Sequence, residues 1–151
     1  MIQVVAVGKK HEAWVLPGIE RYEKRLKKPL DIEWVLLPHS LFETHRARQE
    51  ESERILLRIK DGDFIILLDE RGENIDSPSL SLLLDDHLSH SRRVVCIIGG
   101  AYGVDDSIHR RADLVWSLSK LVFPHQLVRL ILTEQIYRAQ EIRNSTPYHH
   151  Q

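Results

Sequence analysis

Apolar positions in this chain gather into five short runs: Ile2–Val7, Ile32–Leu37, 64–68, Val94–Ile98 and 114–118. In the first four, apolar residues stand side by side more than they alternate with polar ones, the pattern of strands covered on both faces of a parallel sheet. Between the runs, apolar residues recur every three or four positions, which predicts helices over 14–26, 43–59 and, after Pro78, 79–88. The first four strands begin about 30 residues apart, the length of one right-handed strand–helix–strand unit. The pattern therefore predicts an α/β fold: one domain over residues 1–151 with a mostly parallel sheet and helices on both faces.

A last helix, 126–142, is patterned differently. Leu127, Val128, Leu130, Ile131 and Leu132 surround its first turns, interrupted only by Arg129. A helix lying on one sheet needs an apolar stripe, whereas one that is apolar all round is covered on its far side too. So short a chain has little left to cover it with. A second copy is expected there, in a homodimer with this helix at a two-fold interface.

Composition narrows the class. With 42% hydrophobic and 28% charged residues and a formal net charge of -1, the chain is an ordinary folded domain, and disordered or fibrous classes are excluded. No apolar run approaches the ~18 residues of a membrane helix, and no basic segment leads into the first one. A cytoplasmic protein without membrane contact is expected. The single cysteine, Cys96, lies within Val94–Ile98, where a buried, inert thiol is the simpler reading and a reducing compartment fits. Charge is unevenly placed: residues 1–60 carry 12 Lys and Arg against 9 Asp and Glu, residues 61–103 carry 3 against 8. The densest basic cluster, Arg21, Lys24, Arg25, Lys27 and Lys28, is either a solvated helix face or a contact for an anionic partner.

Ligands of open parallel sheets bind beyond the carboxyl ends of the strands. Three such ends are unusual here: Leu68-Asp69-Glu70-Arg71-Gly72, Gly99-Gly100-Ala101-Tyr102-Gly103, and the stretch from Ser117 through Leu121-Val122-Phe123 to Pro124-His125. Glycines let backbone approach a ligand closely, and Asp105 or Asp106 can cap a short helix after them. Both the dinucleotide and the P-loop fingerprints are missing, so this loop is either a tight strand-to-helix turn or the wall of a small-cofactor pocket. The nine histidines show no metal-ligand spacing, and no metal is expected. At the carboxyl terminus Tyr148, His149 and His150 bring an aromatic and two titratable rings where a frayed end would carry small polar residues.

Several of these segments resemble the RlmH-type SPOUT methyltransferases: Gly99-Gly100-x-x-Gly103, Ser117-Leu118-Ser119, Phe123-Pro124-His125-Gln126-Leu127-x-Arg129, Glu134-Gln135-x-Tyr137-Arg138-Ala139 and Pro147-Tyr148-His149. The opening residues up to Gly8-Lys9 and Leu68-Asp69-x-x-Gly72 are similar too, so the likeness covers essentially the whole chain. It implies a homodimer with a trefoil knot near the carboxyl terminus that binds S-adenosyl-L-methionine. It further implies methyl transfer to nitrogen three of a pseudouridine in a stem-loop of 23S rRNA on assembled ribosomes. Carried over residue by residue, the cofactor pocket comprises Leu68, Gly100, Leu118, Ser119, Lys120, Leu121, Val122, Phe123 and Pro124. The acceptor nitrogen must lose a proton, so a base or a facing positive charge is needed. Candidates are His149, Tyr148, Arg129 and His125, with the tail completing the site of the partner subunit.

One departure stands out: relatives of this type end in Tyr-His followed by Lys or Arg, whereas His150 replaces that permanent charge with a titratable one. Two other readings stay open from the sequence: a different nucleotide-using α/β enzyme, flavodoxin-like or dehydrogenase-like, and a ribosome-binding dimer without catalysis.

Overall fold

The computed structural model describes residues 1–150. Strands and helices alternate along the chain: β1 Ile2–Val7, α1 Leu16–Glu23, β2 Ile32–Leu37, α2 Thr44–Leu56, β3 Phe64–Glu73, α3 Ser77–Ser89, β4 Val94–Ile98, α4 Asp106–Arg111, β5 Leu114–Trp116 and α5 His125–Arg143. The five strands form one sheet in the order β2-β1-β4-β3-β5, and every neighbouring pair is parallel. Side chains alternate across it, so that Ile2, Val4, Ala6, Val94, Cys96 and Ile98 reach one layer of core and Val5, Val7, Val95 and Ile97 the other. The first layer is closed by α3 and α5, through Leu80, Leu84, Leu132, Ile136 and Ala139. The second is closed by α2 and α4, through Ile55 and Ile108. This is the expected α/β architecture with helices on both faces. Burial pushes the Cys96 thiol up to about 12, which leaves it unreactive in the core.

Local chemistry sets the boundaries. Helix α3 starts two residues earlier than the apolar spacing suggests, because the Asp76 side chain accepts the Ser79 amide at 2.8 Å and Pro78 sits in the first turn, where no amide donor is needed. The same device opens α4, where Asp105 accepts from Ser107. α1 is shorter than the 14–26 expected from spacing, beginning beside Pro17 and ending at Glu23. Strand β2, expected to be buried on both faces, is an edge strand and mostly half-exposed.

β3 outruns its expected end at 68. It pairs with β5 up to Leu68, leaves the ladder, and rejoins it where Glu73 pairs with Trp116. Gly72 is required at that return, because a Cβ there would collide with the Val115 carbonyl. The displaced residues Asp69, Glu70 and Arg71 bulge out at the carboxyl end of the sheet.

The last helix corrects its expected pattern. Its buried stripe is partly polar: Gln126, Arg129, Thr133 and Gln140 are buried with Leu132, Ile136 and Ala139. Gln126 and Gln140 serve backbone groups far away in sequence, Gln126 pairing with Glu12 N and Lys10 O and Gln140 with Lys27 N and Arg25 O. Leu127, Leu130 and Ile131 are only half-buried. Of these, Leu130 packs on Gly18 of α1 within the same chain. Among the described residues no helix is long and apolar enough to cross a membrane.

Candidate active site

The carboxyl ends of β3, β4 and β5 open into a cavity of about 830 Å³. Its apolar lining comes from Leu68, Ile98, Trp116, Leu118, Phe123 and Val128, and its polar rim from His45, Arg48, Asp69, Arg71 and His109. Three loops make the wall, and each is held by bonds within itself and to other elements.

The glycine loop runs from Gly99 to Gly103 after β4. Gly103 adopts a φ of 75°, the left-handed region that favours glycine, and its amide donates to the Gly100 carbonyl at 3.0 Å. Helix α2 supports this loop at two further points: Arg48 Nε donates to the Tyr102 carbonyl at 2.9 Å, and the Asp105 amide donates to Ser52 Oγ at 2.9 Å.

The loop after β5 is held by its own serines. Ser117 Oγ donates to the Ser119 carbonyl at 2.7 Å, the Leu121 amide donates to Ser119 Oγ at 3.0 Å, and Asn74 Nδ2 donates to the Ser117 carbonyl at 2.6 Å. This fixed turn leaves Leu121 70% and Val122 76% exposed at the cavity. Of the residues expected around a cofactor, Leu68, Gly100, Leu118, Ser119, Leu121, Val122, Phe123 and Pro124 line this cavity, while Lys120 is exposed beside it.

The β3 bulge supplies a charged trio. Arg71 binds Asp69 through Nη2 at 3.0 Å and contacts His109 Nε2 at 3.0 Å, while His109 lies 3.3 Å from the Asp69 carboxylate. Burial alone would raise the Asp69 carboxyl, but bonds and charge from Arg71, with His109 behind them, hold it below the usual carboxylate range. This trio was not among the expected site residues. The Leu68-Asp69-x-x-Gly72 segment was the available signal, but the partnership of residues 71 and 109 exists only in three dimensions.

The four candidate catalytic residues fall in three places. His125 lines the cavity. Its pKa is lowered, first by burial and then by the Arg129 cation, so the ring is neutral near pH 7 and can accept a proton. Arg129 does not line the cavity; it is wholly buried against the end of β1, donating to the carbonyls of Val7, Gly8 and Lys10 at 3.0, 3.2 and 2.9 Å. Tyr148 and His149 follow α5 and fold back against it, outside this chain's cavity. The Tyr148 hydroxyl donates to Glu134 Oε1 at 3.0 Å, its ring stands edge-on to Tyr137 at 4.8 Å, and Arg138 lies 4.8 Å above its ring. Arg138 also pairs with Glu134 and contacts His149 Nδ1 at 3.1 Å. Burial, and then the Glu134 carboxylate, push the Tyr148 hydroxyl far above its ordinary pKa, so it stays protonated and acts as a donor. The tail is therefore docked on the helix.

Comparison with known proteins decides the family. Residues 1–149 match the family described as "Predicted SPOUT methyltransferase". The chain belongs to the SPOUT methyltransferase family. Among curated relatives, the ribosomal RNA large subunit methyltransferase H of Desulfitobacterium hafniense strain Y51 is 40% identical, with 98% of each chain covered. The proteins of that name from Caldicellulosiruptor bescii and Hydrogenovibrio crunogenus are 37% and 38% identical, covering 99% and 98% of this chain and 99% and 97% of theirs.

Proposed function

We propose that this chain methylates nitrogen three of a pseudouridine in a 23S rRNA stem-loop on assembled ribosomes, using S-adenosyl-L-methionine and working as a cytoplasmic homodimer. The observation that carries this reading is the convergence on one cavity of the glycine loop and the loop from Ser119 to Pro124. Family membership and the names of the relatives support it. The knot typical of the family belongs to the same proposal.

The residues present suit such a cofactor. Leu118, Phe123 and Val128 offer an apolar slot for a purine, and the backbone of residues 119–124 offers amides and carbonyls beside it. At Gly100 the backbone can approach a ligand, because no side chain intervenes. When bound, the cofactor supplies an electrophilic methyl group on a sulfonium. Aligning two reactants in line needs no metal from the protein, and among the described residues no cluster of three or more potential ligands exists.

What the chain adds is position and proton handling. His125 presents a neutral ring at the cavity. The partner's tail would bring the second set of groups, with Tyr148 protonated and oriented by Glu134 and His149 oriented by Arg138. Their placement outside their own chain's cavity supports a site built by two copies. Half-buried Leu127 and Ile131 on the outer face of α5 are the apolar surface that such a dimer would cover. Arg129 is occupied by backbone carbonyls, which suits a structural part better than contact with the base.

Incubation with ribosomes lacking the modification and a labelled methyl donor, followed by nucleoside mass spectrometry, tests the reading. Label in N3-methylpseudouridine of the large-subunit RNA is expected. An active, cofactor-binding preparation that yields none rules out the assigned reaction and leaves a ribosome-binding dimer.

A further inference from the structure

The cavity is bordered by a charge that the chemistry above does not use. Glu51, on α2, is only 4% exposed. Its Oε2 accepts the Ser40 amide at 2.7 Å, whereas Oε1 is buried without a partner. No Lys, Arg or His pairs with it among the described residues.

The free oxygen is aimed at Gly100: a Cβ built on that glycine would lie 2.8 Å from Glu51 Oε1 and 3.1 Å from Val7 Cγ1. Gly100 is itself part of the cavity wall. A single residue without a side chain thus separates a buried carboxylate from the space a ligand would fill. Other carboxylates around the cavity are answered, Asp69 by Arg71 and His109 and Asp105 by Ser107, or they face water, as Glu70 and Asp106 do. The buried cation Arg129 serves Val7, Gly8, Lys10 and His11, none of which lines the cavity. The influence of Glu51 does reach the lining: at His125 it acts, with Glu12, against the lowering caused by burial and Arg129.

An unpaired carboxylate in a poorly solvated wall is felt over several ångströms, much further than in water. A sulfonium methyl donor is positively charged at sulfur, and the thioether left after transfer is not. We infer that Glu51 is a positioning residue whose carboxylate, acting through Gly100, makes the cavity favour the cationic methyl donor over its neutral spent form. The inference rests on the reading of the cavity as an S-adenosylmethionine site. It favours loading of the donor and release of the spent cofactor, since transfer of the methyl group removes the charge that Glu51 attracts.

Titration calorimetry of the full chain with S-adenosylmethionine and with S-adenosylhomocysteine tests it without relying on activity. Glu51→Gln keeps the shape and can retain the Ser40 bond through its amide oxygen. It should weaken binding of S-adenosylmethionine about ten-fold, the scale of one charge acting across roughly a nanometre of partly buried protein, and leave S-adenosylhomocysteine within about two-fold. Glu51→Asp keeps the charge and should keep the ratio of the two affinities, even where both fall. Equal weakening of both ligands by Glu51→Gln makes Glu51 merely structural and overturns the inference, as does no change in either. Should Glu51→Gln fail to fold, Glu51→Met takes its place: a loss confined to S-adenosylmethionine supports the inference, and an equal change in both ligands, or none, overturns it. A wild-type chain that binds neither ligand fails at the earlier step and removes the cofactor reading itself.

Discussion

Gly8 and Arg129 are packed so closely that a Cβ on Gly8 would lie 2.8 Å from Arg129 Nη2. Gly8 also holds a φ of 123°, so both space and backbone conformation demand glycine there. The guanidinium fills the room thus left and binds three carbonyls at the end of β1. Arg129→Met should lower stability by about 2–4 kcal/mol, because buried carbonyls lose a charged donor. Urea unfolding should show an earlier midpoint with an unchanged slope. Arg129→Lys should recover less than half of the loss, since one ammonium cannot span the three acceptors.

Gly100→Ala places a methyl group against Glu51 Oε1 and Val7 Cγ1. Crowding of this kind costs about 1–3 kcal/mol when neighbours must shift, and here the shift moves the cavity wall. The variant should melt at a lower temperature and bind S-adenosylmethionine at least about ten-fold more weakly, measured by calorimetry.

His11 and His125 both have pKa values below the ordinary 6.5, each first through burial and then through Arg129. In the unfolded chain these rings take up protons near 6.5, and in the folded chain only at lower pH. The unfolded state therefore binds more protons across that window. Their contribution to stability is complete above 6.5 and is lost as the pH falls towards the folded values. Thermal midpoints should decline on acidification from about pH 7.5 to about pH 5.5, and His125→Gln should flatten part of that decline.

Deleting residues 146–151 removes Tyr148 and His149 but no described residue that lines the cavity. Turnover on ribosomes should fall by about two orders of magnitude or more, the usual scale for losing positioned proton-transfer groups. S-adenosylmethionine affinity should stay within about two-fold. Unchanged turnover would reduce the tail to a cap on α5.

Leu127→Glu places a charge on the half-buried outer face of α5 and should produce monomers by light scattering. Leu130 is a poorer probe of the interface, since it already packs on Gly18 and its loss would loosen α1.

Most of the architecture was legible in the chain because buried parallel strands leave continuous apolar runs, as at Val94–Ile98. β2 misled for the same reason: Trp34, Val35 and Leu36 look like core, yet an edge strand keeps them half-exposed. The walls of the cavity were legible through their glycines and the serine-rich stretch before Pro124. Glu51 was not, because it sits among Glu50, Glu53 and Arg54, and polar residues of a surface helix look alike until one of them turns inward. Arg129 was taken for a break in an apolar surface, when it is the buried anchor of the β1 end. Hydrogen bonds that span more than a hundred residues leave no periodicity to detect.

The bonds that α5 makes to the first 30 residues also bear on the order in which the chain is synthesised. Gln126, Arg129 and Gln140 satisfy backbone groups between Val7 and Lys27, yet these side chains leave the translating ribosome more than a hundred residues after those groups. Until then the first strand and helix keep those backbone groups bonded to water, with one face of the sheet uncovered. Nascent chains stopped before Gln140 should therefore stay protease-sensitive in their first strand and helix, which gain these partners only once α5 is free.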